Sequence, residues 1–164
     1  MFRAVLVLTF TVCVFFSLQM NPASGEKPTL VPRIDLQGLR ALLDENKGKV
    51  IILDFWLPNC PNCLKEAPFM NRMYRKYRKK GLLIIGLFAD DDVDDAWGFA
   101  RVTGVRYPTF IADDDIMEKY GLQYVPYHVY IDKKGKARYR EAGFYNDRKK
   151  EIEEKIVKLL KRSG

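Results

Sequence analysis

The sequence predicts an α/β domain, a largely parallel mixed sheet covered by helices on both sides, and three observations carry that reading. Residues 50–56 and 82–89 are apolar almost without a break, the mark of strands buried on both faces. Capped helical segments alternate with these runs along the chain. Near the end, Asp132-Lys133-Lys134-Gly135 joins two short strand-like runs as one antiparallel hairpin.

Each element has its own local signal. Asp35 caps a helix to about Asn46, with Leu36, Leu39, Leu42 and Leu43 on one face. The strand 50–56 follows, broken by one acid, Asp54. Leu57-Pro58-Asn59 then leads to Cys60, and Pro61 suits the first turn of a helix that runs past Pro68, with a kink there, to the basic segment 75–80. After the strand 82–89, residues 90–95 start a helix that stops at Gly104. A short strand spans 107–112, and Asp113-Asp114-Asp115 begins a helix ending at Gly121. Val125-Pro126 precedes a strand over 127–131, the hairpin returns through 136–142, and Asn146 caps a last helix. The acidic runs fall at helix starts and the basic runs at helix ends, where they complement the dipole.

Residues 1–25 read differently. Met1-Phe2-Arg3 is a positive start, residues 4–18 are uncharged and mostly apolar, and small polar residues follow to Gly25. This is the layout of a secretory signal peptide, with Ala23 and Gly25 flanking the cut, or of a membrane anchor over residues 4–20. The apolar run is short of the ~18–20 residues that span a bilayer comfortably. Both readings export residues 26–164 from the cytoplasm as one domain. That portion keeps 27 basic against 21 acidic side chains and two of the three cysteines, Cys60 and Cys63.

The composition, 48% hydrophobic and 30% charged, rules out a disordered or collagenous chain, and three cysteines are too few for a disulfide scaffold. The net charge of +7 favours anionic surfaces in general. It does not indicate nucleic acid, because the basic runs lack interleaved stacking aromatics. Residues 90–95 fail as a calcium loop for want of a sixth-position glycine and a closing glutamate. No exposed apolar stripe asks for a second copy, so a monomer is expected.

The chemistry centres on Cys60-Pro61-Asn62-Cys63. Two cysteines three apart at a helix start face the same way, and their sulfurs can close a small ring. The first sits where free N–H groups and the helix dipole stabilise a thiolate; the second lies one turn in and deeper. Attack by Cys60 on a partner disulfide would give a mixed disulfide that Cys63 resolves. A purely structural disulfide would staple almost nothing across so short a loop. A zinc site would need four ligands, and the exported chain offers only His128 besides the pair. No metal or other cofactor is expected.

These residues resemble a family. Asp54-Phe55-Trp56, the loop, Cys60-x-x-Cys63 and a helix, then Val125-Pro126 leading into strand and hairpin, look like the thioredoxin fold over nearly all of residues 34–162. Cys60-x-x-Cys63-x-x-Glu66-x-Pro68 is similar to the TlpA/ResA/CcmG type of exported thiol–disulfide oxidoreductase. So are the helix–strand insertion at about 91–112, Tyr107-Pro108-Thr109-Phe110 with Asp113, and Val129-Tyr130-Ile131-Asp132-x-x-Gly135. The resemblance implies a Cys60–Cys63 redox disulfide, a cis peptide before Pro126, and Val125 offering its backbone to an extended partner. It makes Glu66 and Asp54 acids that relay the proton of Cys63. Trp56, Pro61 and Asn62 would complete the partner site, Trp56 by packing beneath the loop.

Departures from the family bear on direction. Asn59 stands where Trp is usual, proline comes first inside the pair, and the strand 82–89 has no lysine for Asp54. His128 is expected to be satisfied within the strand or at the surface, on the side opposite Tyr127 and Val129. The resemblance implies a reductase of protein disulfides, with apocytochrome c as one substrate and a membrane thiol–disulfide electron donor. Two other readings stay open: an oxidant or isomerase, and a copper-binding redox chaperone using Cys60 and Cys63, with or without His128, which relatives achieve with wider cysteine spacing.

Overall fold

The computed structural model describes residues 31–145 and 148–162. The expected signal or anchor segment, the first residues of the exported domain and the Asn146 cap lie outside them. Six strands form one sheet in the order β1-β4-β3-β2-β5-β6. They are β1 (Arg33–Ile34), β2 (Val50–Trp56), β3 (Leu82–Phe88), β4 (Thr109–Ala112), β5 (Tyr127–Ile131) and β6 (Ala137–Ala142). The helices are α1 (Leu36–Glu45), α2 (Pro61–Tyr77), α3 (Val93–Thr103), α4 (Asp114–Tyr120) and α5 (Lys149–Lys161). The strands β1 to β4 pair in parallel, whereas β5 runs antiparallel to both β2 and β6. The expected hairpin is therefore joined to the parallel part by a second antiparallel pairing.

The strand β1 is the one element that the pattern did not predict. Two residues are too short for periodicity, and they are recruited by β4, with Arg33 tied to Asp91 and Asp113. Pro68 sits inside α2 without ending it. Asp35 and Asp92 cap α1 and α3 through their side chains.

Alternation along β2 sorts the core. Val50 and Ile52 pack with Phe69, Met70 and Met73 of α2 and Ile152, Ile156 and Leu159 of α5. Ile51, Leu53 and Phe55 face the other way, onto Leu39 of α1 and Ile116 of α4. At the carboxyl end, Trp56 stacks on Phe99 of α3 with ring centroids 3.9 Å apart and tilts against Phe88. The functional loop leaves β2 at this end, where the parallel strands open.

Across the sheet, Gly86 of β3 stands between Asp54 of β2 and Thr109 of β4. A Cβ on Gly86 would meet Thr109 Oγ1 at 2.7 Å and Cγ2 at 3.2 Å. Gly98, inside α3, has nothing within 4 Å of such a Cβ. Gly86→Ala is expected to destabilise the fold by about 1–3 kcal/mol, an overpacking cost that Thr109→Ala largely relieves. Gly98→Ala is expected to stabilise it by about 0.5–1 kcal/mol. Urea unfolding of the three variants checks both signs.

Candidate active site

The loop after β2 ends at Cys60, which is the N-cap of α2, and Pro61 takes the first helical position. Cys60 and Cys63 are joined as a disulfide with their Cα atoms 5.2 Å apart. The Cys63 N–H donates to Cys60 Sγ at 3.1 Å. That N–H and the helix dipole lie where a free Cys60 would carry its negative charge. Cys60 opens onto a cleft of about 430 Å³ formed with Leu57, Pro58, Asn59, Pro61, Asn62, Asp90 and Val125. The Val125–Pro126 peptide is cis, and Pro126 is buried. Trp56 is buried beneath this cleft rather than exposed in it. Cys63 is 2% exposed and faces inward.

Below Cys63 lies a buried polar cluster. Glu66 stands three residues after Cys63 on the inner stripe of α2, which continues through Met70, Met73 and Tyr77. Asp54 projects from β2 on the same side of the sheet as Ile52, and β5 places His128 directly opposite it. His128 Nε2 lies 3.3 Å from Asp54 Oδ1 and 3.3 Å from Glu66 Oε1. It is aligned for a hydrogen bond to neither, and Nε2 and Oε1 are both without a hydrogen-bond partner. The Tyr107 hydroxyl donates to Asp54 Oδ2 at 2.6 Å. Asp54, Cys63, Glu66 and Tyr107 together line a cavity of about 10 Å³, the size of one water molecule.

The charges of this cluster act on one another. Burial pushes the Glu66 carboxyl above its usual range, opposed by the adjoining His128. Burial works against a charged His128, but the carboxylates of Glu66 and Asp54 outweigh it and hold the imidazole up at about 10. Tyr107 is raised by burial and by the same carboxylates, so it remains a proton donor. The ligand-type atoms of Asp54, Glu66 and His128 lie within 4.8 Å of one another, close enough to share a cation. A protonated His128 is itself that cation.

The structure thus brings Asp54 and Glu66 together under Cys63 and leaves Cys60, Pro61, Asn62 and Val125 around the outer cleft. The surface placement for His128 is corrected: its side chain is 1% exposed, because α2 and α5 cover the sheet face opposite Val129. The copper reading names His128 only as an optional ligand beside the cysteine pair. The Nε2 of His128 faces two carboxylates, and His128 does not line the cavity that Cys63 shares with them. Two signals for this cluster were present in the sequence: the three-residue step from Cys63 to Glu66, and a polar residue on the covered face of each of two strands.

The sign of the pH dependence follows from His128. Its folded value of about 10 exceeds the ordinary 6.5, so the stability it contributes is complete below pH 6.5 and lost as pH rises to 10. Glu66, raised from 4.5, adds to the same trend at lower pH. Urea unfolding at pH 6, 8 and 10 is expected to show falling stability, with the component above pH 6.5 missing from His128→Gln. Tyr107→Phe is expected to cost about 1–3 kcal/mol at pH 7, because Asp54 loses its short hydrogen bond.

Residues 26–156 match the Redoxin family. The chain is 31% identical over 167 residues to the thiol–disulfide oxidoreductase ResA of Bacillus cereus (strain ATCC 10987 / NRS 248), covering 97% of this chain and 95% of that protein. It is 34% identical over 145 residues to ResA of Bacillus thuringiensis (strain Al Hakam), covering 83% of each. A Chlorobium tepidum crystal structure assigned as the thiol:disulfide interchange protein DsbE superposes with a TM-score of 0.68 at 29% identity, over 72% of this chain and 84% of that one. The thioredoxin domain of a Bacteroides vulgatus thiol–disulfide oxidoreductase gives 0.61 at 25% identity, over 77% and 92%. With its thioredoxin fold, helix–strand insertion and Cys60–Cys63 disulfide, the chain belongs to the Redoxin family and is a thiol–disulfide oxidoreductase of the TlpA/ResA/CcmG type.

Proposed function

We propose that the protein reduces disulfides of exported proteins, with Cys60 as nucleophile and Cys63 as resolving thiol. The observation that carries this is the setting of Cys60: a helix N-cap with the Cys63 N–H on its sulfur, opening onto the cleft beside Val125. In the reduced protein, the Cys60 thiolate attacks one sulfur of the partner disulfide. A Cys60–partner bond forms, the partner's own S–S bond breaks, and its other sulfur leaves as a thiolate that takes up a proton. Cys63 then gives its proton to the carboxyl groups beneath it and attacks Cys60 Sγ. The Cys60–Cys63 bond forms, the second partner thiolate leaves, and two electrons have passed from the dithiol to the partner.

The remaining roles fit this cycle. The cis peptide sets the Val125 backbone against the cleft, where an extended partner segment can pair with it. Pro61 and Asn62 form the exposed inner pair of the motif and shape the rim. Asp54 and Glu66 take and return the proton through the cavity they share with Cys63. Residues 1–25 direct the domain 26–164 out of the cytoplasm, as a cleaved signal or as an anchor. Each turnover leaves the disulfide, so a dithiol donor at the membrane must recharge it. Paired cysteines of apocytochrome c are the substrate class that the ResA relationship favours.

Cys60→Ser is expected to abolish reduction of insulin disulfides, and retained activity in that variant would refute the nucleophile assignment. Direction is read from the reduction potential, equilibrated in graded thiol buffers and followed by tryptophan fluorescence. A value near or below about −270 mV supports a reductase, while one near −120 mV marks an oxidant.

A further inference from the structure

We infer that His128 is a positioning residue for thiol exchange: it holds Asp54 and Glu66 together as one proton store beneath Cys63. The inference rests on Cys63 being the resolving thiol. Two carboxyl groups from different elements, β2 and α2, are each about as close to Nε2 as the other, at 3.3 Å. Without a cation between them, two buried carboxylates repel and cannot both remain ionised. His128 supplies that cation from β5, directly across from Asp54.

The surroundings leave this role to His128. Tyr107 touches Asp54, but through a neutral hydroxyl on the other carboxylate oxygen. Tyr130, two residues along β5, is also neutral, and its buried hydroxyl has no hydrogen-bond partner. Glu141 of β6 lies opposite His128, yet its charge is matched by Arg148 and by Lys155 of α5. Arg148 also acts on Glu66 in the same sense as His128, but its effect is the smaller one.

The consequence concerns the resolving step alone. When Cys63 attacks Cys60 Sγ, the thiol proton passes to the Asp54–Glu66 pair, and no electron reaches the cluster. An adjoining imidazolium lowers the pH at which that pair is free to accept a proton. In His128→Gln, which keeps a hydrogen-bond donor but no charge, the pair retains its own proton to higher pH.

The test uses the full protein loaded on Cys60 with 5-thio-2-nitrobenzoate as a mixed disulfide. Release of the coloured thiol then reports attack by Cys63. In His128→Gln the midpoint of the release rate against pH is expected to move up by about one to three pH units. An unchanged midpoint would overturn the inference, even if the variant were less stable. Release that persists in Cys63→Ala would instead overturn the resolving role itself, and the inference with it. His128 is the one histidine of the chain, so its ring resonances are readable in the native protein without a variant. An imidazolium signature at pH 7.5 in both the dithiol and disulfide forms is expected, and a neutral ring there would refute the role.

Discussion

A carboxylate in the middle of a strand that is covered on both faces must find its partners inside the protein. Asp54 stands between Leu53 and Phe55 in β2, near the centre of the sheet, and is 4% exposed. Burying an unpaired charge costs several kcal/mol, so its surroundings are constrained more tightly than those of any apolar neighbour. Tyr107 reaches it from the insertion that contains α3 and β4, and His128 reaches it from β5. Gly86, the residue beside Asp54 in β3, has no side chain to intrude on this row. The Thr109 hydroxyl leans into the freed space and donates to the Tyr107 carbonyl. Insertion, sheet centre and hairpin are thus tied to one acid.

The disulfide divides this region into an outer and an inner compartment. On the outer side, Cys60 meets a cleft of about 430 Å³ lined by residues of the loop and by Val125 at the strand entry. On the inner side, Cys63 meets a cavity of one water's volume, bounded by Asp54, Glu66 and Tyr107. The helix start places backbone dipoles at the first sulfur, and the interior places ionisable side chains beside the second. Trp56, packed between Phe88 and Phe99, lines the inner cavity and not the outer cleft.

Most of the fold was legible because its signals are local. Unbroken apolar runs marked β2 and β3, aspartates marked helix starts, and glycines marked the stops at Gly104 and Gly121. The cysteine pair was legible for the same reason, since spacing and helix position are read within four residues. The strand β1 was not, because two residues acquire strand geometry only from β4 beside them. The cis peptide before Pro126 was suggested by family likeness and not by pattern, as only about 5–6% of such bonds are cis. His128 shows the deeper difficulty. Alternation put it on the correct side of its strand, but whether that side is wet depends on α2 and α5, and its partners are 74 and 62 residues away in the chain.

The two acids under Cys63 are held differently. Asp54 is anchored, with one oxygen taken by the Tyr107 hydroxyl and the other beside His128. Glu66 rises from the helix that carries Cys63, and its Oε1 has no hydrogen-bond partner. The Asp54 oxygen that accepts from Tyr107 must give up that hydrogen bond to take a proton. Glu66 Oε1, which accepts no hydrogen bond, has none to give up. Two ionised carboxylates and one imidazolium would sum to −1, and one proton would bring that sum to zero. Without that imidazolium the same pair would start at −2, a state that a buried site of this polarity resists strongly. In the proposed cycle the imidazolium would therefore keep the acid pair close to neutrality as a proton arrives and leaves.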